Sequence, residues 1–198
     1  MTELKALVIG LSLATAALLA LQRPAFGHDH KGTPLEKATP RREIRLPIGD
    51  FSLKDQAGKP FSFQSLRGKV VLVGFIYTTC PDICPLITVN MQKVLEGLTR
   101  RGEREGVFFL SITTDPEIDA PEVLKSYGKR YKIDFSEWAL ITGDTDSLKR
   151  VWKAFGVRVE RKARGLIDHT ALTALVDRKG VMRHCVLRHC SQSEDDPR

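Results

Sequence analysis

Val70-Val-Leu-Val-Gly-Phe-Ile-Tyr-Thr-Thr-Cys-Pro-Asp-Ile-Cys-Pro85 decides the fold of this chain. Its first seven residues, Val70–Ile76, are a β-branched and nearly unbroken apolar run, the pattern of a central strand covered on both faces. After Pro85 the apolar residues Leu86, Val89, Met91, Val94, Leu95 and Leu98 recur at roughly helical spacing, which predicts a helix over 86–100. Cys80 and Cys84 therefore fall on a strand-to-helix turn, and in open α/β sheets ligands bind at that edge. Two thiols at i and i+4 face the same side if the turn is helical. Pro81 and Pro85 stiffen the backbone after each cysteine, and a helix N-terminus lowers the pKa of a thiol. Spacing alone leaves three readings open: a copper or zinc clamp, a redox couple, or a structural disulfide.

Outward from this segment, Phe51–Phe63 alternates on either side of a Gly-containing turn, as a β-hairpin does. Val107–Thr113 and Ala139–Thr142 read as two further buried strands. Asp119, followed by Pro121 and Glu122, reads as a capped helix start, and Asp146 as the cap of a helix over 147–155. Thr170–Val176 and Val181–Leu187 flank Asp177-Arg-Lys-Gly180 as a last hairpin. A hairpin, then βαβ, then αββ is the thioredoxin-like arrangement, an α/β fold with a mixed central sheet flanked by helices.

The chain has 198 residues, 42% of them hydrophobic, enough for one domain with a proper core. Its net charge of +7 is spread rather than blocky, with the densest basic stretch at Lys149-Arg150, Arg158 and Arg161–Arg164. No aromatic–basic interleaving suggests a nucleic-acid platform, so nucleic acid is not an expected partner; an acidic protein surface suits the charge better. Ala6–Leu21 is sixteen residues without a charge, between Lys5 and Arg23, and Ala25-Phe-Gly27 offers a small-x-small cleavage site. Residues 1–27 thus read as a signal peptide or an N-terminal membrane anchor. Residues 28–47 read as a polar linker, 48–187 as the folded domain and 188–198 as a polar tail. Export to the periplasm, free or anchored in the inner membrane facing it, is the expected location. Disulfides form there, yet a bridge closing so short a loop as Cys80 to Cys84 is a weak staple.

A clamp of two thiolates needs another donor, and among five histidines His169 stands apart, in Gly165-Leu-Ile-Asp-His-Thr170 at the start of a predicted buried strand. With these residues in place the chain resembles the Sco/SenC family, copper chaperones linked to cytochrome c oxidase assembly. The matching segments are Gly74–Pro85, Ser111-Ile-Thr-Thr-Asp-Pro116, Leu140-Ile-Thr-Gly143 and Asp168-His-Thr170, in order across residues 45–182. The resemblance implies copper held by Cys80, Cys84 and His169, with Asp168 as an adjacent acidic residue rather than a ligand. It implies as partners the copper-site subunit of the oxidase or another cuproprotein, and a copper donor protein. Two soft thiolates and an imidazole independently suit Cu(I), with Cu(II) as the second state, whereas zinc normally takes a fourth donor. Asp82, inside the turn, is the acidic residue placed to be that donor or to meet a partner.

The chief alternative is a thiol–disulfide oxidoreductase using Cys80 and Cys84 as a redox-active disulfide to keep the oxidase copper site reduced. Redox enzymes of this fold generally use Cys-x-x-Cys and carry a proline before the strand facing the site, where this chain has Ile167-Asp-His-Thr170. A peroxidase lacks support, since Tyr77 and Val73 stand where a threonine and a proline are needed. The chain departs from the family at its end: the helix expected after the last hairpin is missing, leaving one sheet face under-covered. His184-Cys185 and His189-Cys190 repeat a His-Cys pair there, read as an altered C-terminal end before an accessory metal site. Cleavage after Gly27 would place His30 third in the new chain, a pattern that can bind Cu(II).

Overall fold

The apolar runs Val70–Ile76 and Val107–Thr113 form adjacent parallel strands at the centre of the sheet. The computed structural model describes residues 43–162 and 166–188. Within them the chain runs β1 (Glu43–Pro47), β2 (Ser52–Asp55), β3 (Pro60–Ser62), a 3-10 turn at Phe63–Leu66, β4 (Val70–Ile76), α1 (Ile83–Arg101), β5 (Val107–Thr113), α2 (Pro121–Arg130), β6 (Trp138–Thr142), α3 (Thr145–Phe155), β7 (Val159–Arg161), β8 (Ile167–His169), β9 (Ala171–Val176) and β10 (Val181–Arg188). The main sheet has the order β1-β10-β9-β4-β5-β6-β2-β3, and β7 pairs with β8 as a separate two-stranded ribbon. This is the expected thioredoxin-like α/β fold.

Strand direction positions the site. β4, β5 and β6 are parallel, so the turn after Ile76 and the loop after Thr113 emerge side by side at one edge. β9 is antiparallel to β4, with Gly74 opposite Thr173, so β9 begins at that same edge and delivers the end of β8 to it. Alternation along β4 divides the core. Val71, Val73 and Phe75 pack with Phe63, Leu110, Ile112, Leu148, Trp152 and Phe155 on the α3 side. Ile76 packs on the other side with Ile87, Met91, Phe109, Leu124, Tyr127 and Trp138, beneath α1 and α2. At Gly74 α1 approaches so closely that an added Cβ would stand 2.8 Å from Met91 Sδ.

Several boundaries differ from those expected. Helix α1 starts at Ile83 rather than Leu86, taking Cys84 and Pro85 into its first turn, where a proline's missing N–H costs nothing. The end of the supposed linker is β1, paired antiparallel with β10, with Ile44 against the core; its charges and Pro47 hid a strand that needs only one apolar face. Helix α3 is capped by Asp144, whose side chain accepts from Ser147 N–H, rather than by Asp146. Asp119 does not cap α2: Ala120 holds that position, and Asp119 is buried with other partners.

Among the described residues no helix follows β10. Instead β4, β9, β10 and α1 border an apolar cleft of about 480 Å³, lined by Leu72, Leu86, Val94, Leu175 and Val186 among others. No described helix is long and apolar enough to cross a membrane, and the expected signal or anchor, 1–27, lies outside the described residues. His189 and Cys190 also lie outside them. His184 and Cys185 do not form a joint site, because His184 lines the cleft while Cys185 packs against the core on the opposite face.

Candidate metal centre

After β4 the chain makes a turn, Tyr77-Thr-Thr-Cys80, closed by Cys80 N–H on the Tyr77 carbonyl at 3.3 Å. Cys84 then falls in the first turn of α1 and is fully buried, while Cys80 stays 8% exposed. The first N–H groups of a helix have no partner within it. Asp82, at the cap position, supplies none from its side chain. The Cys80 sulfur takes that place. Its thiol is lowered to about 5, first by the hydrogen bond from the Cys84 thiol and then by the backbone N–H groups of Cys84 and Asp82 and the Tyr77 hydroxyl, against burial that pushes it up. Cys80 is therefore the readily ionised sulfur of the pair. Burial, and then the sulfur beside it, hold the Tyr77 hydroxyl protonated well above the ordinary tyrosine range. Cys84 Sγ in turn accepts Tyr77 N–H at 3.4 Å.

His169 reaches this pair from the ribbon. β8 alternates, with Ile167 and His169 buried and Asp168 between them half-exposed. The His169 Nδ1 lies 3.1 Å from the Thr170 carbonyl, which assigns the proton to Nδ1 and leaves Nε2 with a free lone pair. Nε2 faces Cys84 Sγ at 3.7 Å. Burial lowers the imidazole pKa, and the Cys80 and Asp168 charges oppose this only in part, so the ring is neutral at physiological pH. The Tyr77 ring meets it edge to face, with centroids 5.7 Å apart.

The sequence-predicted residues thus separate into two groups. Cys80, Cys84 and His169 come together, while Asp168 points off the site by strand alternation and Asp82 is exposed at its rim. Metal–sulfur bonds of about 2.3 Å and metal–nitrogen bonds of about 2.0 Å at ordinary angles put the two ligand atoms roughly 3.5–3.8 Å apart. The Cys84–His169 spacing lies in that range. Among the described residues no three His, Cys, Asp or Glu side chains already close around one point; Cys80 joins the pair through its hydrogen bond to Cys84. The donor set is soft, buried and partly deprotonated, which suits a thiophilic metal or disulfide chemistry.

Sequence reasoning missed the groups that hold the centre. Asp119 accepts from Thr78 N–H at 3.2 Å and from the Thr78 and Thr113 hydroxyls. Asp115, buried after Thr114, pairs with Arg161. The available signal was two acids four apart immediately after a buried strand.

A model of the SCO1/SenC family matches residues 40–195. The chain belongs to the SCO1/SenC family. The SCO2-like protein RP587 of Rickettsia prowazekii (strain Madrid E) is 35% identical over 153 residues, covering 73% of this chain and 72% of that protein. Among solved structures, Bradyrhizobium japonicum ScoI with copper bound is similar at 32% identity and a TM-score of 0.61, over 69% of this chain and 86% of that one. BsSco, described with a disulfide switch and as a member of the Sco family of cytochrome c oxidase assembly proteins, is similar at 30% identity and a TM-score of 0.62, over 73% and 85%. The SCO1/SenC match takes in β1, both cysteines of the turn and His169.

Proposed function

We propose that this SCO1/SenC protein binds copper through Cys80, Cys84 and His169 and delivers it to the copper site of a respiratory oxidase. The observation that carries this reading is the neutral imidazole of His169 with its free Nε2 facing Cys84 Sγ at 3.7 Å. Two sulfurs and one nitrogen suit Cu(I) at low coordination, and neither Asp82 nor Asp168 is turned in to supply the fourth donor that zinc normally takes. Three donors also leave the ion open to capture by a receiving site. Cys80, at the rim, is the ligand from which transfer would begin. The similarity to Bradyrhizobium japonicum ScoI with copper bound, and to BsSco of the Sco family of cytochrome c oxidase assembly proteins, supports the same cargo and destination. On this reading the protein acts outside the cytoplasm, exported or anchored by residues 1–27; mass-spectrometric mapping of the mature N-terminus distinguishes the two.

Anaerobic Cu(I) titration of the reduced protein against a competing chelator tests the site. One tightly held copper is expected, lost in Cys80→Ala or Cys84→Ala and weakened in His169→Ala with the fold intact. An unchanged affinity in His169→Ala overturns the third ligand.

The low pKa of Cys80 also favours a second reading, a thiol–disulfide reductase. The Cys80 thiolate would attack a partner disulfide, releasing one partner thiolate and forming a mixed disulfide. Cys84, losing its proton, would then attack Cys80, freeing the second partner sulfur and leaving a Cys80–Cys84 disulfide. Two electrons pass to the partner. Reduction of an oxidised oxidase copper-site peptide by metal-free protein, absent in Cys84→Ala, is the outcome that selects this reading.

A further inference from the structure

The loop between β5 and α2, Thr114–Ala120, carries two buried carboxylates that touch neither sulfur nor imidazole. Asp119 is 0% exposed and Asp115 1%. Burying a carboxylate is costly unless it is paired, so each needs a reason to be there. Asp119 accepts Thr78 N–H and the Thr78 hydroxyl, and Thr78 stands two residues before Cys80 and next to Tyr77, whose N–H reaches Cys84 Sγ. Thr113, at the end of β5, donates to the same carboxylate. Asp119 thereby fixes the cysteine turn against the central strand.

Asp115 works on the opposite side. Its Oδ1 pairs with the guanidinium of Arg161, which also reaches Glu117 at 3.1 Å. Arg161 ends β7, where it lies opposite Ile167, and Val159 lies opposite His169. The β7–β8 ribbon is not a member of the main sheet and has no strand ladder to it. The mutual hydrogen bonds of Arg158 and Thr170 close the ribbon on itself. Contacts that hold it to the domain include the packing of Ile167 and Val159, the Tyr77 hydroxyl on the Ile167 backbone with the Tyr77 ring against His169, and the Asp115–Arg161 pair.

We propose that Asp115 and Asp119 are positioning residues of the metal centre: in one loop, Asp119 holds the cysteine turn through Thr78 and so fixes the sulfur pair, while Asp115 holds the histidine ribbon through Arg161 and so sets the distance of His169 from Cys84. This rests on the copper reading above, and it assigns no ligand role to either acid. Removing Arg161 would free the ribbon and leave Asp115 buried without its cation, while Asp119→Asn would turn an amide N–H₂ or a single acceptor toward three donors.

The test compares Arg161→Ala, Arg161→Lys, His169→Ala and the Arg161→Ala/His169→Ala double variant in the full chain. Cu(I) affinity is read by chelator competition, and amide hydrogen exchange is read on metal-free protein. Arg161→Ala is expected to weaken copper roughly tenfold, the scale of coupling between residues that share one contact network. Arg161→Lys should recover most of the affinity. The arginine's effect should vanish when His169 is already alanine, and exchange should speed up at Ile167 and Thr170 in metal-free Arg161→Ala. A merely structural arginine would weaken copper equally in both backgrounds, and that result overturns the proposal. So does an unchanged affinity in Arg161→Ala where His169→Ala is weakened. If His169→Ala itself is silent, the copper reading fails, and unaltered exchange at Ile167 and Thr170 would then separately defeat the ribbon tether. Asp119→Asn is expected to weaken copper even in the His169→Ala background, because it acts on the sulfurs; loss only in the wild-type background contradicts its assigned half.

Discussion

Cys80 meets an incoming metal already ionised, and this sets the proton count of loading. At pH 7 the metal-free centre holds a thiolate on Cys80 and a neutral His169. Proton release on binding Cu(I) through both sulfurs should rise by about one per ion as the pH falls through about 5, where Cys80 takes up its proton. Calorimetric titration in buffers of different ionisation enthalpy measures this directly. The same residue makes stability depend on pH. The thiol pKa falls from 9.0 to about 5 on folding, so its contribution is full above pH 9 and is lost as the pH drops through 5. Urea midpoints of the reduced protein should decline over that window, more steeply than in Cys80→Ser. His169 adds a slope of the same sign at the acid end, because its buried imidazole must gain a proton on unfolding. At this scale the two cysteines were legible from their place after an apolar run. His169 was legible only in context: a histidine at a strand start carries little signal by itself, and it was the thioredoxin-like cysteine turn in need of another donor, and then the resemblance, that singled it out. Asp119 was misread: an acid two residues before a proline has the pattern of a cap, and only its burial beside Thr78 shows otherwise.

Helix α1 is the element on which the centre depends, because its first turn contains Cys84 and its body lies on β4 at Gly74. A valine there would place its Cβ 2.8 Å from Met91 Sδ and 3.2 Å from Ile87 Cγ2, on the face that sets the height of the helix. Gly74→Val should cost about 1–3 kcal/mol in urea unfolding. It should also weaken copper binding, since moving α1 moves Cys84 relative to His169. Unchanged stability would mean that Met91 yields without moving the helix. The long elements were readable because β4, β5 and α1 repeat their apolar residues over several turns or pleats. The three-residue strands β7 and β8 were not, since so short a run has no period to recognise. Yet β8 is the strand that carries the imidazole.

For the whole molecule, the domain boundary follows from β1. A chain beginning at residue 42 keeps the pairing of Glu43–Pro47 with β10 and the packing of Ile44, whereas one beginning at 48 exposes β10 as an edge. The shorter chain should be less stable by about 1–2 kcal/mol, the scale of one partly buried aliphatic side chain, as measured by thermal or urea unfolding. Equal stability would mean that β1 adds nothing to the domain. By itself the sequence determined the α/β class, the order of the principal strands and helices, and the thiol-bearing turn, because apolar periodicity and turn chemistry are local properties. The tertiary structure alone decided that His169 meets Cys84, that Asp168 does not, and that one acidic loop grips both halves of the centre. Those facts depend on which strand lies beside which and in what direction, and residues 85 positions apart are joined only when the sheet brings their ends to the same edge.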